Sequence, residues 1–263
     1  CVGEGYHRAV RGSFETWHHL FSTSFDGCLS VWEMPLEGSK AKCEARVRVS
    51  NSELLTAVYD DMNRAYIIGD NNGEVTIWSV DELRPLRSLQ HVTGPTKGVA
   101  HAEAVTCLVL DGNYAFSGGE DSSLFLWNTI TGKLAKELVY EGPDGFGEVE
   151  FITVINERNG ELLVATRSGQ IVLFSQETGY AVHEHKLSGV EVVCLCWSPH
   201  TEEIVAGMDN GMIMKIHVSM LTPLEPPQNL GDDELVSETS TQQASRLAEP
   251  TPEEILEEIS APR

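Results

Sequence analysis

Few residue groups in this chain have the types and spacing to do chemistry. The first is Gly118-Gly119-Glu120-Asp121, within "FSGGEDSSLFLWN" (116–128). Paired carboxylates can hold a divalent metal, and a glycine turn lets a phosphate approach the backbone. The second is imidazole: His18-His19, and His183 with His185 in "HEH". The third is the thiol pair Cys194 and Cys196 in "VEVVCLCWSP", two apart and so on one face of a strand. None of these has further cysteine, histidine or carboxylate neighbours at a recognisable ligand spacing. "DNNGEV" and "GPTKGV" lack the strand–helix context of a phosphate loop. No catalytic site, metal or cofactor is therefore expected.

The 263 residues carry a formal net charge of −22. Residues 222–263 hold ten acids against two bases, and the remainder is acidic as well. Such a surface opposes binding to nucleic acid or anionic membrane, both of which favour cations. No apolar run approaches the ~18 residues of a membrane span. The six cysteines (Cys1, Cys28, Cys43, Cys107, Cys194, Cys196) form no Cys-x-x-Cys pair, and most sit in apolar runs. They read as reduced thiols, which places the protein in the cytoplasm.

The elements that must position these groups appear as a repeat. "FSTSFDGCLSVWEM" (21–34), "YIIGDNNGEVTIWSV" (66–80), "FSGGEDSSLFLWNT" (116–129), "LVATRSGQIVLFSQ" (163–176) and "IVAGMDNGMIMKIHV" (204–218) share one form. Each is an apolar run, a small or polar turn, then an alternating run ending on a bulky anchor. The anchors Trp32, Trp78, Trp127, Phe174 and Ile216 are spaced close to the ~40–45 residues of a four-stranded propeller blade. An apolar run precedes each pair, and in four units a polar-alternating run comes after it. That order predicts buried inner strands and a solvated outer one. The fold class is all-β.

At this point the sequence resembles the WD-repeat β-propeller family over roughly residues 5–220. The resemblance implies four-stranded antiparallel blades at about 5–50, 51–95, 100–140, 147–188 and 189–221. It also implies a buried hydrogen-bonded tetrad in some blades: His before the first strand, Ser on the second, Asp in the next turn, Trp on the third. His101, Ser117, Asp121 and Trp127 match it, as do His7, Ser22, Asp26 and Trp32. A buried indole N–H needs an acceptor and a buried carboxylate needs donors, so such a chain is physically sensible. The second, fourth and fifth units have Ile68, Val164 and Ala206 at the Ser position. They are expected to be held by apolar packing instead.

Family members usually close a ring of seven blades, so the five visible here are expected to be an incomplete ring lacking about two N-terminal blades; a closed five-bladed ring is the alternative. Pro223, Pro226 and Pro227 argue against a fourth strand in the fifth unit. Residues 222–263, rich in Pro, Glu, Ser and Thr, are expected to be a mostly disordered tail. Within it "TPEEILEEIS" (251–260) has the cap and apolar face of a short helix.

A propeller offers a face of loops, so the expected function is a non-catalytic scaffold or adaptor that binds a protein or peptide within a multi-subunit complex. Arg8, Phe25, Asn71, Lys97, Glu120, Arg167 and Asn210 are the candidates for that face; Phe25 and Arg167 are the best hot-spot types. The alternatives are an architectural subunit of a ciliary or cytoskeletal assembly, or the substrate-recognition module of a ubiquitin ligase. The repeat also reinterprets Gly118-Gly119-Glu120-Asp121. Thr23-Ser24-Phe25-Asp26 and Gly207-Met208-Asp209-Asn210 stand at the same position in other units. A turn repeated in each blade with its acids optional is a scaffold, with Asp121 directed inward and Glu120 outward.

Overall fold

A computed structural model describes residues 5–9, 17–34, 40–92, 94, 96–142, 145–155 and 160–224. The chain divides into two compact units, Cys1–Glu225 and Pro226–Arg263. The second unit, with the expected helix at 251–260, lies outside the described residues.

The first unit is built of five antiparallel sheets that succeed one another in chain order. The first blade is β1 (Gly5–Ala9), β2 (Trp17–Thr23), β3 (Cys28–Met34) and β4 (Lys42–Arg48). The second is β5 (Leu54–Asp60), β6 (Ala65–Asp70), β7 (Val75–Ser79) and β8 (Pro85–Leu89). The third is β9 (Val105–Asp111), β10 (Tyr114–Gly119), β11 (Leu124–Asn128) and β12 (Leu134–Glu137). The fourth is β13 (Val149–Ile155), β14 (Glu161–Thr166), β15 (Gln170–Phe174) and β16 (Ala181–Lys186). The fifth holds β17 (Val192–Ser198), β18 (Glu203–Met208) and β19 (Ile213–His217). These are propeller blades, each an antiparallel meander, and in the second to fourth blades the two middle strands are the most buried. β14 and β15 are buried almost throughout, whereas β4 is mostly exposed.

The fifth blade has three strands among the described residues, because the chain leaves the blade after β19. A short 3₁₀ turn, Val218–Met220, directs it away, and β20 (Thr222–Pro223) pairs with β16 on the outer edge of the fourth blade. Pro223 is tolerated there because an edge strand needs no donor on its solvent side. Leu224 donates its N–H to Val182 at 2.9 Å and packs into the fourth blade's core. Residues 222–224 therefore belong with the blades and not with the tail.

Four apolar cores hold the blades together, one at each junction. Phe21 and Leu29 meet Leu54, Tyr66, Ile68 and Trp78 between blades 1 and 2. Ile67, Val75 and Leu89 meet Val105, Ala115 and Trp127 between blades 2 and 3. Phe116 and Leu124 meet Leu162, Val164 and Phe174 between blades 3 and 4. Leu163, Ile171 and Leu173 meet Ile204, Ala206 and Ile216 between blades 4 and 5. Because strand residues alternate between faces, each bulky anchor points back to the preceding blade and its chain neighbour points forward.

The turn between second and third strands recurs with one backbone geometry. Five residues before each anchor the chain takes positive φ, at Gly27, Gly73, Ser122, Gly169 and Gly211. At Gly73 a Cβ would stand 2.2 Å from the carbonyl oxygen of His101, and Gly73 O in turn accepts the His101 N–H at 3.0 Å. The turn of one blade is thus stitched to the linker that enters the next.

Candidate interaction face

The turns after the second strands, and the linkers that enter each inner strand, lie on one rim. The third blade shows how that rim is fixed. His101, four residues ahead of β9, is fully buried. Its Nδ1 lies 3.0 Å from Asp121 Oδ1 and its Nε2 2.7 Å from Ser117 Oγ. Trp127 Nε1–H donates to the same Ser117 Oγ at 2.8 Å. Asp121 also accepts the N–H groups of Ala102 (2.8 Å) and Ser123 (3.1 Å). Burial opposes ionisation of Asp121, but the His101 hydrogen bond and charge and these two backbone donors outweigh it and hold its carboxyl below the usual carboxylate range. Gly119 makes room: a Cβ there would lie 2.7 Å from His101 Nδ1 and 2.8 Å from Asp121 Oδ1. The Gly-Gly-Glu-Asp run is thus the corner of a closed hydrogen-bond network, with Asp121 already committed to protein donors.

The first blade differs from expectation. Trp32 Nε1–H donates to Ser22 Oγ at 3.0 Å, as in the third blade. Asp26, however, is substantially exposed and takes the guanidinium of Arg46 from the outer strand. His7 sits within β1 opposite His19, while Asp26 lies beyond the other end of β2. The antiparallel register therefore puts the His7 backbone mid-strand, toward the far end of the blade from Asp26, and not in a linker ahead of β1. Its side chain lies outside the described residues. Arg8, opposite His18, is at that same far end and does not share the rim with the other face candidates.

Two blades expected to rely on apolar packing carry relocated polar networks. In the second, Asp70 is buried and accepts Ser50 Oγ–H at 2.7 Å and the N–H groups of Asn72 and Glu74. Ser50 stands four residues ahead of β5, where His101 stands ahead of β9. Trp78 Nε1–H finds Thr76 Oγ1 at 3.1 Å. In the fourth, buried Gln170 donates to Gly145 O at 2.7 Å and accepts from Gly147 N at 3.0 Å, beside Thr166 and Ser168. The same job, tying the turn to the entering linker, is done by different atoms.

The remaining candidates occupy the rim singly or in pairs. Phe25 is 59% exposed in the first turn. Asn71, in the second turn, donates its N–H to Glu53 O at 2.9 Å. Lys97 is exposed in the linker between blades 2 and 3. Asn210 caps its own turn by accepting Met212 N–H at 3.0 Å. Glu120 and Arg167 come together across a junction at 3.8 Å. Arg167 also reaches Glu148 at 2.8 Å and Glu150 at 3.4 Å. Beside it opens a cleft of about 680 Å³ lined by Ser122, Glu148, Arg167, Val190, Glu191 and Asp209, with glycines between them. Three blades contribute to it, so one cation stands among carboxylates from three successive turns and linkers. Sequence reasoning named Glu120 and Arg167 but missed Glu148, Glu150, Glu191 and Asp209. For Glu148, Glu150 and Glu191 the available signal was an acid just ahead of, or next to the start of, an inner strand; Asp209 sits in the turn after β18.

The groups that opened as chemical candidates are dispersed. Among the described residues, no three His, Cys, Asp or Glu are placed to hold a metal. No helix of the described residues is long and apolar enough to cross a membrane. The described cysteines are unpaired, and burial pushes the Cys107 thiol up to about 12.

Comparison with known proteins agrees with this geometry. Residues 88–128, from the end of β8 through the linker to β9–β11 of the third blade, match the family of the WD domain, G-beta repeat. The WD40 beta propeller domain of Doa1 is similar over 75% of this chain and 60% of its own, with TM-score 0.58 and 18% identity. The computationally designed Ika8 protein is similar over 76% of this chain and 55% of its own, with TM-score 0.60 and 18% identity. The chain thus spans less than two thirds of the length of either of these chains. No curated protein matches it in sequence. Repeat, fold and the one matched blade thus make the chain similar to WD40 β-propeller domains. Domains of this kind generally mediate protein–protein interactions and are typically non-catalytic.

Proposed function

We infer that the protein is a non-catalytic interaction platform that presents its turn-lined rim to a protein or peptide partner. The observation that carries this reading is the cleft at Arg167. It is built on rigid blades, its floor is fixed by hydrogen-bonded turns, and its acids outnumber its single cation. A preorganised surface of this kind loses little entropy on binding. Its charge suits a partner segment bearing Lys or Arg, and Glu120, Phe25, Asn71, Lys97 and Asn210 extend the same rim. The unpaired cysteines support a cytoplasmic setting.

A fluorescently labelled, Lys/Arg-rich decapeptide provides the probe. Its anisotropy should rise saturably with protein and fall with added salt, as screened charges separate. Replacing Glu148, Glu191 and Asp209 together by Lys should weaken binding at least about tenfold. Absence of saturable binding, or equal binding by the variant, contradicts the assignment.

A further inference from the structure

The outer strand of the fourth blade, β16, is covered by a later piece of the same chain, β20. Thr222 pairs there with Glu184, and Pro223 with His183. Pro223 has no N–H, so it adds no donor to the ladder. One further bond, from Leu224 N–H to Val182 O at 2.9 Å, fastens the end. Leu224 also joins the apolar core between blades 3 and 4, with Tyr140 and Phe146. Residues 222–224 thus form a strap held by few backbone bonds and one apolar plug.

The strap sits where added negative charge would strain it. Residues directly opposite in antiparallel strands place their side chains on one face, so Thr222 stands beside Glu184. Leu224, two residues on, shares that face. Glu184 is opposite Val172, a member of the core that Leu224 enters. It is half-buried, and its carboxylate accepts the Tyr140 hydroxyl. Lys186, two residues further along the same face, is exposed and already has a partner. Thr222 itself is exposed, extended and followed by Pro223, the dipeptide that a proline-directed protein kinase reads. Ser198 and Thr251 are the other hydroxyl residues that precede proline. Ser198 is half-buried at the end of β17, where its Oγ accepts the Thr201 hydroxyl at 2.9 Å. Thr251 lies outside the described residues.

We propose that Thr222 is a phosphorylation site and that its phosphate unfastens the strap from the fourth blade. The donor is ATP. The Thr222 Oγ–P bond forms, the bond from the γ-phosphorus to the ADP oxygen breaks, and the hydroxyl proton passes to the kinase's carboxylate base. The phosphate brings about −1.5 to −2 charges at neutral pH. Directly across from Glu184, it sets like charges side by side. The few bonds of the strap yield, Leu224 leaves its core, and the outer edge of β16 opens. This switch lies away from the turn-lined rim and does not depend on the rim's binding role.

The test uses the 263-residue chain carrying Ser198→Ala and Thr251→Val, with ATP and a proline-directed Ser/Thr kinase. Fragmentation mass spectrometry locates the phosphate, and hydrogen exchange follows the peptide holding Thr222 and Leu224. Thr222 should be labelled, and exchange of that peptide should then quicken at least about fivefold. Adding Glu184→Gln keeps an acceptor for Tyr140 but removes the opposing charge. It should restore most of the protection in the phosphorylated chain. Thr222→Val should take no phosphate and show no change on treatment. An unlabelled Thr222 overturns the proposal. So does a labelled chain with unchanged exchange, or acceleration as large in Glu184→Gln as in the parent.

Discussion

Blades 1 and 3 carry the same three letters at the same spacing, Ser22-Asp26-Trp32 and Ser117-Asp121-Trp127, yet build different corners. In blade 3 His101 closes the set, bridging Asp121 to the Ser117 hydroxyl that receives the indole. In blade 1 the indole–hydroxyl bond persists, but Asp26 turns outward to Arg46. The difference teaches that the indole–serine bond needs only the register between second and third strands. The aspartate needs a donor delivered by the entering linker. Asp26 takes its cationic partner from the outer strand instead.

Removing the anchor should separate the two blades most strongly. Trp127→Ala deletes a fully buried indole from the junction of blades 2 and 3 and should cost about 3–5 kcal/mol in urea unfolding. Trp32→Ala, at a half-buried position, should cost clearly less. Equal losses would show that blade 1 is as well packed as blade 3.

The stitched turn gives a smaller contrast. Gly73→Ala brings a Cβ against the His101 carbonyl at a φ of +80° and should cost clearly more than the left-handed penalty of about 1–2 kcal/mol alone. Gly211→Ala meets open space and should show only the left-handed penalty of about 1–2 kcal/mol. A Gly73 variant no worse than the Gly211 variant would mean that the linker yields freely.

The acid limb of stability is smaller again. The folded-state pKa of Asp121 is depressed, so its contribution is complete above the unfolded carboxyl pKa of about 3.9 and is lost as pH falls through the folded value. Asp121→Asn should flatten the decline of melting temperature below about pH 4. Asp26→Asn should change that slope less, because water and salt screen an exposed pair. Parallel slopes for parent and Asp121→Asn would remove the linkage.

Much of the fold was legible because blade spacing is written in bulky anchors and alternating runs, which survive even where Trp becomes Phe174 or Ile216. The third-blade set was legible because all four residues sit at the family spacing. His7 misled because a histidine near the first visible strand looks like one ahead of it; only pairing with His19 shows that it lies within that strand. Asp70 and Ser50 were not legible as a pair, since a carboxylate at the end of β6 reaches the spot that Asp121 reaches from within the turn. Gln170 hides likewise, replacing a linker histidine from the opposite side. The cleft could not be read at all, because Ser122, Glu148 and Asp209 come from three blades and meet only through junction packing. Positive φ at Gly27, Gly73, Gly169 and Gly211 was written as a glycine five residues before four of the five anchors, whereas Ser122 takes it in the third blade.

The acidic glycine turn is scaffold: Asp121 holds the blade through His101 and Ala102, while Glu120 lies on the rim toward Arg167. Equilibrium urea unfolding of Asp121→Ala beside Glu120→Ala tests it most directly. Asp121→Ala should lose about 1–3 kcal/mol, the cost of orphaning its buried donors, while Glu120→Ala should unfold with the parent. An Asp121→Ala protein as stable as the parent would contradict the account.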